Sequence, residues 1–239
     1  AQQSAQKYAD LLREKNFLVD LYRKSTSATQ DLTALREKIE AQKAKAREIL
    51  DRQLLNAFQA LGIEFAEARW DAKNKTEGKP EKRRLTLADI RALQPFHWAY
   101  EFDEIIVNRG GFDAIITNPP WENWKPDAKE FFQKHSDEVT KKAMRLEDFE
   151  EEKSDILRKD ADIRREWLEY LSQFPHVNLW FRNATQYRNQ TAFINGRKAT
   201  TDLNLYKLFT EQCTHLVRNG GRCGIVIPSG IYTDLGATQ

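Results

Sequence analysis

The chain has 239 residues, enough for one large or two small domains, and 40% hydrophobic content with 11% aromatics supplies a real core, which excludes disorder throughout. Its 38 basic and 36 acidic residues leave a net charge of only +2, so the chain is no polycation and any nucleic-acid surface must be local. No apolar run approaches the ~20 residues that span a bilayer, and Ala1-Gln2-Gln3-Ser4 lacks a basic-then-apolar secretory pattern; the expectation is a cytoplasmic protein with no membrane partner.

From Tyr8 to Phe65 the sequence is helical in character. Leu32, Leu35, Ile39, Ala46 and Ile49 recur at three- and four-residue steps, and Tyr8, Leu11, Leu12, Leu18, Leu21 and Tyr22 supply an opposing face across Ser25-Thr26-Ser27. The reading is an antiparallel hairpin, with Gln42 and Gln53 interrupting a seam that a long dimeric coiled coil would need. The oligomeric state stays open, a monomer included. Residues 71–84 carry Lys73, Lys75, Lys79, Lys82, Arg83 and Arg84 against Asp71, Glu77 and Glu81, and with Gly78 and Pro80 read as a basic loop or linker. Such a run could follow phosphates or merely be solvated. A short helix then starts at Thr86, with Asp89 three residues on, and ends before Pro95. His97, flanked by aromatics and with no nucleophile or metal partner in sequence, reads as a hydrogen-bonded structural histidine.

Ala114 to Ile116 is a short apolar run between Gly110-Gly111 and two prolines, which predicts a buried strand ending abruptly. Asn118 follows with a side-chain carbonyl. The Pro119 and Pro120 rings restrict the backbone and remove two amide donors, fixing the direction of the Pro119 carbonyl. Trp121 adds a flat stacking face. Two acceptors and a ring describe a receptor for an exocyclic amine on a planar base. Accepting both amine hydrogens favours the pyramidal, attacking nitrogen and stabilises the positive charge that grows as it is alkylated.

Asp127 to Leu171 read as one or two highly charged helices with a thin apolar side, expected to open more readily than the stretches around them. Pro126-Asp127 with Glu151-Glu152-Lys153 imitates a metal-dependent nuclease signature, but the acids and lysine sit in a helical charge run, so no metal site is assigned. Residues 174–202 lose periodicity and mix Trp180, Phe181 and Tyr187 with Arg182, Arg188, Arg197 and Lys198, four candidate DNA contacts. A packed loop would have the same composition. Asn204 to Val217 predicts a helix closed by Gly220-Gly221, and Cys223 to Ile227 a second buried strand, with Cys213 and Cys223 as reduced, buried thiols.

These residues carry a resemblance. Asn118-Pro119-Pro120-Trp121 resembles the amine-binding motif at the end of the fourth core strand of N6-adenine DNA methyltransferases. Phe96-His97-Trp98, Phe102-Asp103-Glu104 and Gly110-Gly111-Phe112-Asp113 resemble the lead-in found in large single-chain restriction–modification and phage-defence (type IIG-like) members. Leu203 to Phe209, Gly220-Gly221 and Ile225-Val226-Ile227-Pro228-Ser229 resemble their next helix and strand. Together the stretches cover about a third of the chain. The resemblance implies an α/β fold: a partial Rossmann-like methyltransferase core with a helical N-terminal segment and a helical insertion. The expected divisions are 1–92 (helical hairpin and basic linker), 93–124 and 203–239 (core), and 125–202 (insertion).

The resemblance also implies S-adenosyl-L-methionine as cofactor and double-stranded DNA as partner, with Asn118, Pro119, Pro120 and Trp121 as catalytic residues. The methyl would pass by direct displacement to N6 of a flipped adenine, with no metal. No strand-to-helix glycine turn is visible before Phe112, so no cofactor-binding residue is assigned. The chain looks like a piece of a longer protein that is inactive alone. Two other functions fit the sequence. Methyltransferases acting on a protein glutamine or a ribosomal RNA base share the motif, and the helices could instead form an interaction module of a larger complex.

Overall fold

The computed structural model describes residues 2–25, 29–136, 139, 145–190, 193–194, 197–198 and 202–232, with side chains placed for all of these except residues 2–5, 29–31, 193–194 and 197–198. They group into two compact units: 1–58 with 86–113 and 216–221, and 59–85 with 114–215 and 222–239.

In the first unit, α1 (Gln2–Lys24) and α2 (Thr29–Ala60) are the two long helices, and the second continues into the other unit at its end. Leu11 of α1, Ala46 of α2 and Tyr100 form a buried cluster flanked by Tyr8, Leu12, Ile49 and Leu50. Arg36 donates to the Tyr22 hydroxyl at 2.8 Å, tying the helices near their turn. α3 (Leu87–Ala92) begins with a capping box, in which the Asp89 carboxylate accepts from Thr86 N at 2.7 Å while the Thr86 hydroxyl accepts from Asp89 N. Two single-turn helices follow, α4 (Trp98–Glu101) and α5 (Asp103–Ile106). Lys15 reaches from α1 to Asp103 and to the Tyr100 carbonyl, and Asn16 donates to the same carboxylate at 2.6 Å. His97 Nε2 lies 2.8 Å from Oδ1 of buried Asp51, so this histidine is tied to α2 as a structural group. Phe96, Trp98, Phe102 and Phe112 make the aromatic contacts beside it.

Burial, then the Glu101 and Asp103 carboxylates nearby, push the Tyr100 phenol up to about 12 from 10.0. An unfolded chain releases that proton near 10, so the stability this group contributes is complete below about pH 10 and is lost as pH rises toward 12. In an alkaline titration followed by phenolate absorbance, Tyr100→Phe should therefore remove the latest-ionising tyrosine. Loss of an early-ionising one instead would mean that the Tyr100 hydroxyl is reached by solvent.

The second unit opens where α2 ends. Gly62 takes a left-handed φ of 68°, open to glycine without strain, and its N–H bonds to Gln59 O at 3.0 Å. Phe65 is thus in a strand, not in the helix expected there. The supposed basic linker is a correction of the same kind: it folds into strands. β1 (Glu64–Glu67) pairs antiparallel with β4 (Glu81–Arg84), and between them β2 (Trp70–Asp71) pairs with β3 (Thr76–Glu77). Strands of two to four residues, mostly polar or charged, are too short to show a period of two, so the sequence concealed them.

Beyond the candidate loop come α6 (Ala128–Gln133), α7 (Leu146–Lys159), α8 (Ala161–Ser172) and α9 (Pro175–Asn183). Phe132, Val139, Phe149, Leu157 and Trp167 form their buried core, with Trp70, Phe131, Ile163, Tyr170 and Leu171 packed around it. The apolar side of the insertion is therefore not thin. Its few large rings do the work of many smaller groups, and Trp167 also donates to Glu77 of β3 at 2.8 Å. Residues 174–202 are more regular than expected as well: α9 fills their first third, starting with Pro175 in the first turn, followed by a 3-10 segment, Thr185–Gln190. β6 (Phe193–Ile194) and β7 (Arg197–Lys198) pair antiparallel.

α10 (Leu205–Leu216) runs directly into β8 (Val217–Ile225), which pairs with β5 (Phe112–Thr117) in a two-stranded sheet. Contacts advance in the same sense along both strands: Gly111 lies against Leu216 and Arg218, and further on Thr117 O accepts from Val226 N at 3.1 Å. Three expectations are corrected here. Gly220-Gly221 lies inside β8 and does not close the helix, Cys223 is exposed while Cys213 is buried, and neither strand is buried. Ile116 is 89% exposed, because among the described residues no layer covers its face of the two-stranded sheet. A Cβ on Gly221 would approach the Val217 side chain to 2.6 Å and Asp113 O to 3.0 Å, so this glycine serves the close strand approach.

Candidate methyl-acceptor loop

β5 delivers the loop. At its start, Asp113 receives Arg218 at 2.6 Å and also Arg109; the Arg218 hydrogen bond, with Arg109 alongside, holds its carboxyl below the usual carboxylate range. At its end, Thr117 O and Trp121 Nε1 both engage Val226, the first accepting from its N–H and the second donating to its carbonyl at 3.3 Å. The four residues Asn118 to Trp121 are thus bracketed by one residue just past β8. The chain leaving the loop is held by a second segment. Leu205 N donates to Glu122 O at 2.9 Å and Trp124 N to Leu203 O at 2.7 Å, with Asn123 and Asn204 as the antiparallel bridge between them. Asp202 accepts from Asn123 Nδ2 at 3.3 Å and from Lys125 Nζ at 3.2 Å. Trp124 packs on Phe174, ring centres 5.1 Å apart, and Asp127 N donates to the Tyr170 hydroxyl at 2.9 Å, which joins the loop to the insertion helices.

Within this frame the tetrapeptide keeps its acceptors open. The Asn118 side chain is exposed and makes no hydrogen bond among the described residues. No backbone donor among them is spent on the Pro119 carbonyl, although Pro119 itself is buried. Trp121 is 52% exposed, with its N–H anchored and no other described ring upon it, so a face stays available for a planar ligand. An exposed amide oxygen, an unspent carbonyl and a half-exposed indole on a loop held at both ends offer two acceptors and a flat face to an amine-bearing planar ring.

Arg182 is half-buried in α9 and Arg188 is exposed in the 3-10 segment, while the side chains of Arg197 and Lys198 lie outside the described residues. The aromatics between them serve packing: Phe181 meets Tyr187 edge-on at 4.8 Å, and the Tyr187 hydroxyl donates to Gln212 at 3.1 Å. Val226, Leu203, Asp202 and Trp124 support the loop without a signature in the sequence. Nothing local marks them, since the bonds join residues about eighty to a hundred apart in sequence.

Among the described residues before β5, no glycine forms the strand-to-helix turn that would cradle a nucleoside cofactor. Gly62 joins α2 to β1, Gly78 sits in the β2–β3 hairpin with its N–H on Arg69 O at 2.7 Å, and Gly110-Gly111 precedes β5, so none of them turns a strand into a helix. Among the described residues no group of three potential ligands gathers for a metal ion, and no helix is long and apolar enough to cross a membrane.

The chain is similar to a putative type II restriction enzyme and methyltransferase of Methanocaldococcus jannaschii, 38% identical over 73 residues, which make up 29% of this chain and 6% of that protein. The chain thus spans a small part of the length of that relative. No solved structure matches it. The Eco57I restriction-modification methylase family matches residues 14–163, more than half of the chain, and includes β5, the Asn-Pro-Pro-Trp loop and α7. The chain belongs to the Eco57I restriction-modification methylases.

Proposed function

We propose that this chain carries the amine-binding loop of an S-adenosyl-L-methionine-dependent DNA methyltransferase that modifies N6 of adenine in double-stranded DNA, in restriction–modification or phage defence. The supporting observation is the loop itself, in a restriction-modification methylase: Asn118 and Pro119 present unspent acceptors beside a half-exposed Trp121, all held by Val226 and by residues 203–205. The target amine lies inside a duplex, so the base must first be flipped out. Trp121 then stacks on the base, while the Asn118 side-chain oxygen and the Pro119 carbonyl accept the two amine hydrogens. Their acceptance draws the nitrogen lone pair out of the ring and opposes the charge that grows on nitrogen as the methyl arrives. We further propose that β5 and β8 belong to a Rossmann-like core. The common sense of their contacts supports this, as does α10 leading into β8.

The test is to incubate the full-length protein with labelled S-adenosyl-L-methionine and duplex DNA and to digest the product to nucleosides. Label in N6-methyladenine is expected. Label in cytosine, or transfer to release factor or ribosomal RNA in preference to duplex DNA, overturns the reading. The isolated chain should transfer none, because its described residues hold no strand-to-helix glycine turn.

A further inference from the structure

The nested hairpin of β1–β4 and β2–β3 offers a charged surface that the Asn-Pro-Pro-Trp loop does not explain. Residues 69–84 hold seven basic side chains against three acidic ones. In a solvated face of no function, the acids would be expected to answer the nearest cations. Here only Glu81 does so, and it answers an arginine. Asp71 caps its own turn, accepting from Asn74 N at 3.1 Å, from the Asn74 side chain at 2.7 Å and from Lys73 N at 2.9 Å, and these hydrogen bonds, those of Asn74 first, hold its carboxyl low. Glu77 is taken by Trp167 at 2.8 Å and by Lys153 of α7 at 3.1 Å. Glu81 accepts from Arg69 at 2.7 Å. Lys73, Lys75 and Lys79 are left exposed, with no acidic partner among the described residues.

The three lysines also stand on fixed backbone. Lys75 sits at a left-handed φ of 50° in the β2–β3 turn, and its carbonyl accepts from Arg158 of α7 at 3.4 Å. Arg164 of α8 covers Trp70 at 5.1 Å, and Ala68 N donates to Ser172 at 2.9 Å. A hairpin held to helices at its strands and its turn has its backbone in place before any partner arrives. Less backbone freedom is then given up on binding than by a loose basic tail.

We propose that Lys73, Lys75 and Lys79 form a contact surface for the sugar-phosphate backbone of duplex DNA, an assignment that rests on the reading of the chain as acting on DNA. The surface supplies orientation and salt-dependent affinity, and reads no base. The hairpin belongs to the same compact unit as the Asn-Pro-Pro-Trp loop, so a duplex held by it is held by the body that receives the amine.

The test is a salt titration of fluorescein-labelled random-sequence duplex binding to the whole chain, comparing wild type, the triple variant Lys73→Gln/Lys75→Gln/Lys79→Gln, and a control triple on α2, Lys38→Gln/Lys45→Gln/Arg47→Gln. The hairpin variant should bind at least about tenfold more weakly at ~100 mM salt. Its log–log salt slope should be shallower by roughly 0.9 for each phosphate that is no longer neutralised, with the control near wild type and the Lys→Arg triple restoring the slope. Equal weakening in both glutamine triples would reduce the effect to net charge and overturn the proposal. So would an unchanged slope in the hairpin variant, or displacement of the duplex by polyglutamate of equal charge as readily as by unlabelled duplex. Wild type that binds duplex while the hairpin variant binds equally well sinks this inference alone. Wild type that binds no duplex sinks it together with the DNA reading.

Discussion

Replacing Asn118 with alanine in the full-length protein is expected to lower the turnover number about a hundredfold, on the order of 3 kcal/mol, with little change in DNA affinity. The deleted group is one of two acceptors that matter most once charge has developed on the amine. Its side chain makes no hydrogen bond among the described residues, so its removal breaks none of those that hold the loop. Trp121→Ala should act differently. It removes a stacking face worth ~1–3 kcal/mol per base and the indole N–H bond to Val226 O, so occupancy of the flipped state falls before chemistry does. A mismatch opposite the target adenine makes flipping less costly and should partly rescue Trp121→Ala while Asn118→Ala stays slow. Single-turnover methylation of matched and mismatched duplexes separates the two. Equal rescue of both, or normal rates in both, would show that the loop does not divide its labour between holding the base and polarising the amine.

The second large effect concerns stability. Lys15 and Asp103 are 8% and 6% exposed, and the Asp103 carboxylate answers both Lys15 and Asn16. Asp103→Ala leaves the Lys15 ammonium buried with the Tyr100 carbonyl as its remaining partner, which should cost about 3–5 kcal/mol, as the removal of one member of a buried pair usually does. The double change Lys15→Met/Asp103→Leu removes both charges at similar volume and should recover most of that stability. Urea unfolding followed by helical circular dichroism gives the comparison, provided the slope with denaturant is unchanged. A single variant within about 1 kcal/mol of wild type would mean that water reaches the pair and that it behaves as a surface ion pair.

Several features were set by local chemistry and so were legible in the residues alone. Thr86 and Asp89 form a capping box because the two side chains satisfy each other's backbone donors within one turn. Leu11 and Ala46 fall on facing helix stripes because a period of 3.6 places them there. The abrupt end of β5 follows from two prolines, which can neither donate to a ladder nor extend one. The chemical character of the loop, a carbonyl, an amide-free turn and an indole in four residues, is a property of composition and order.

Tertiary structure decided what those pieces face. Val226 and the 203–205 segment fix the Asn-Pro-Pro-Trp loop from far along the chain, through backbone groups that carry no residue-type signature. Strand burial could not be read from Ala114-Ile115-Ile116, because an apolar run states what a strand tolerates, whereas exposure depends on which layer packs over its face. The basic stretch 71–84 became a rigid hairpin since Trp70, Glu77 and Gly78 found partners on Arg164, Trp167 and Arg69. Short polar strands gain their stability from what they pack against, and for Trp70 and Glu77 that information lies in helix residues about ninety positions downstream.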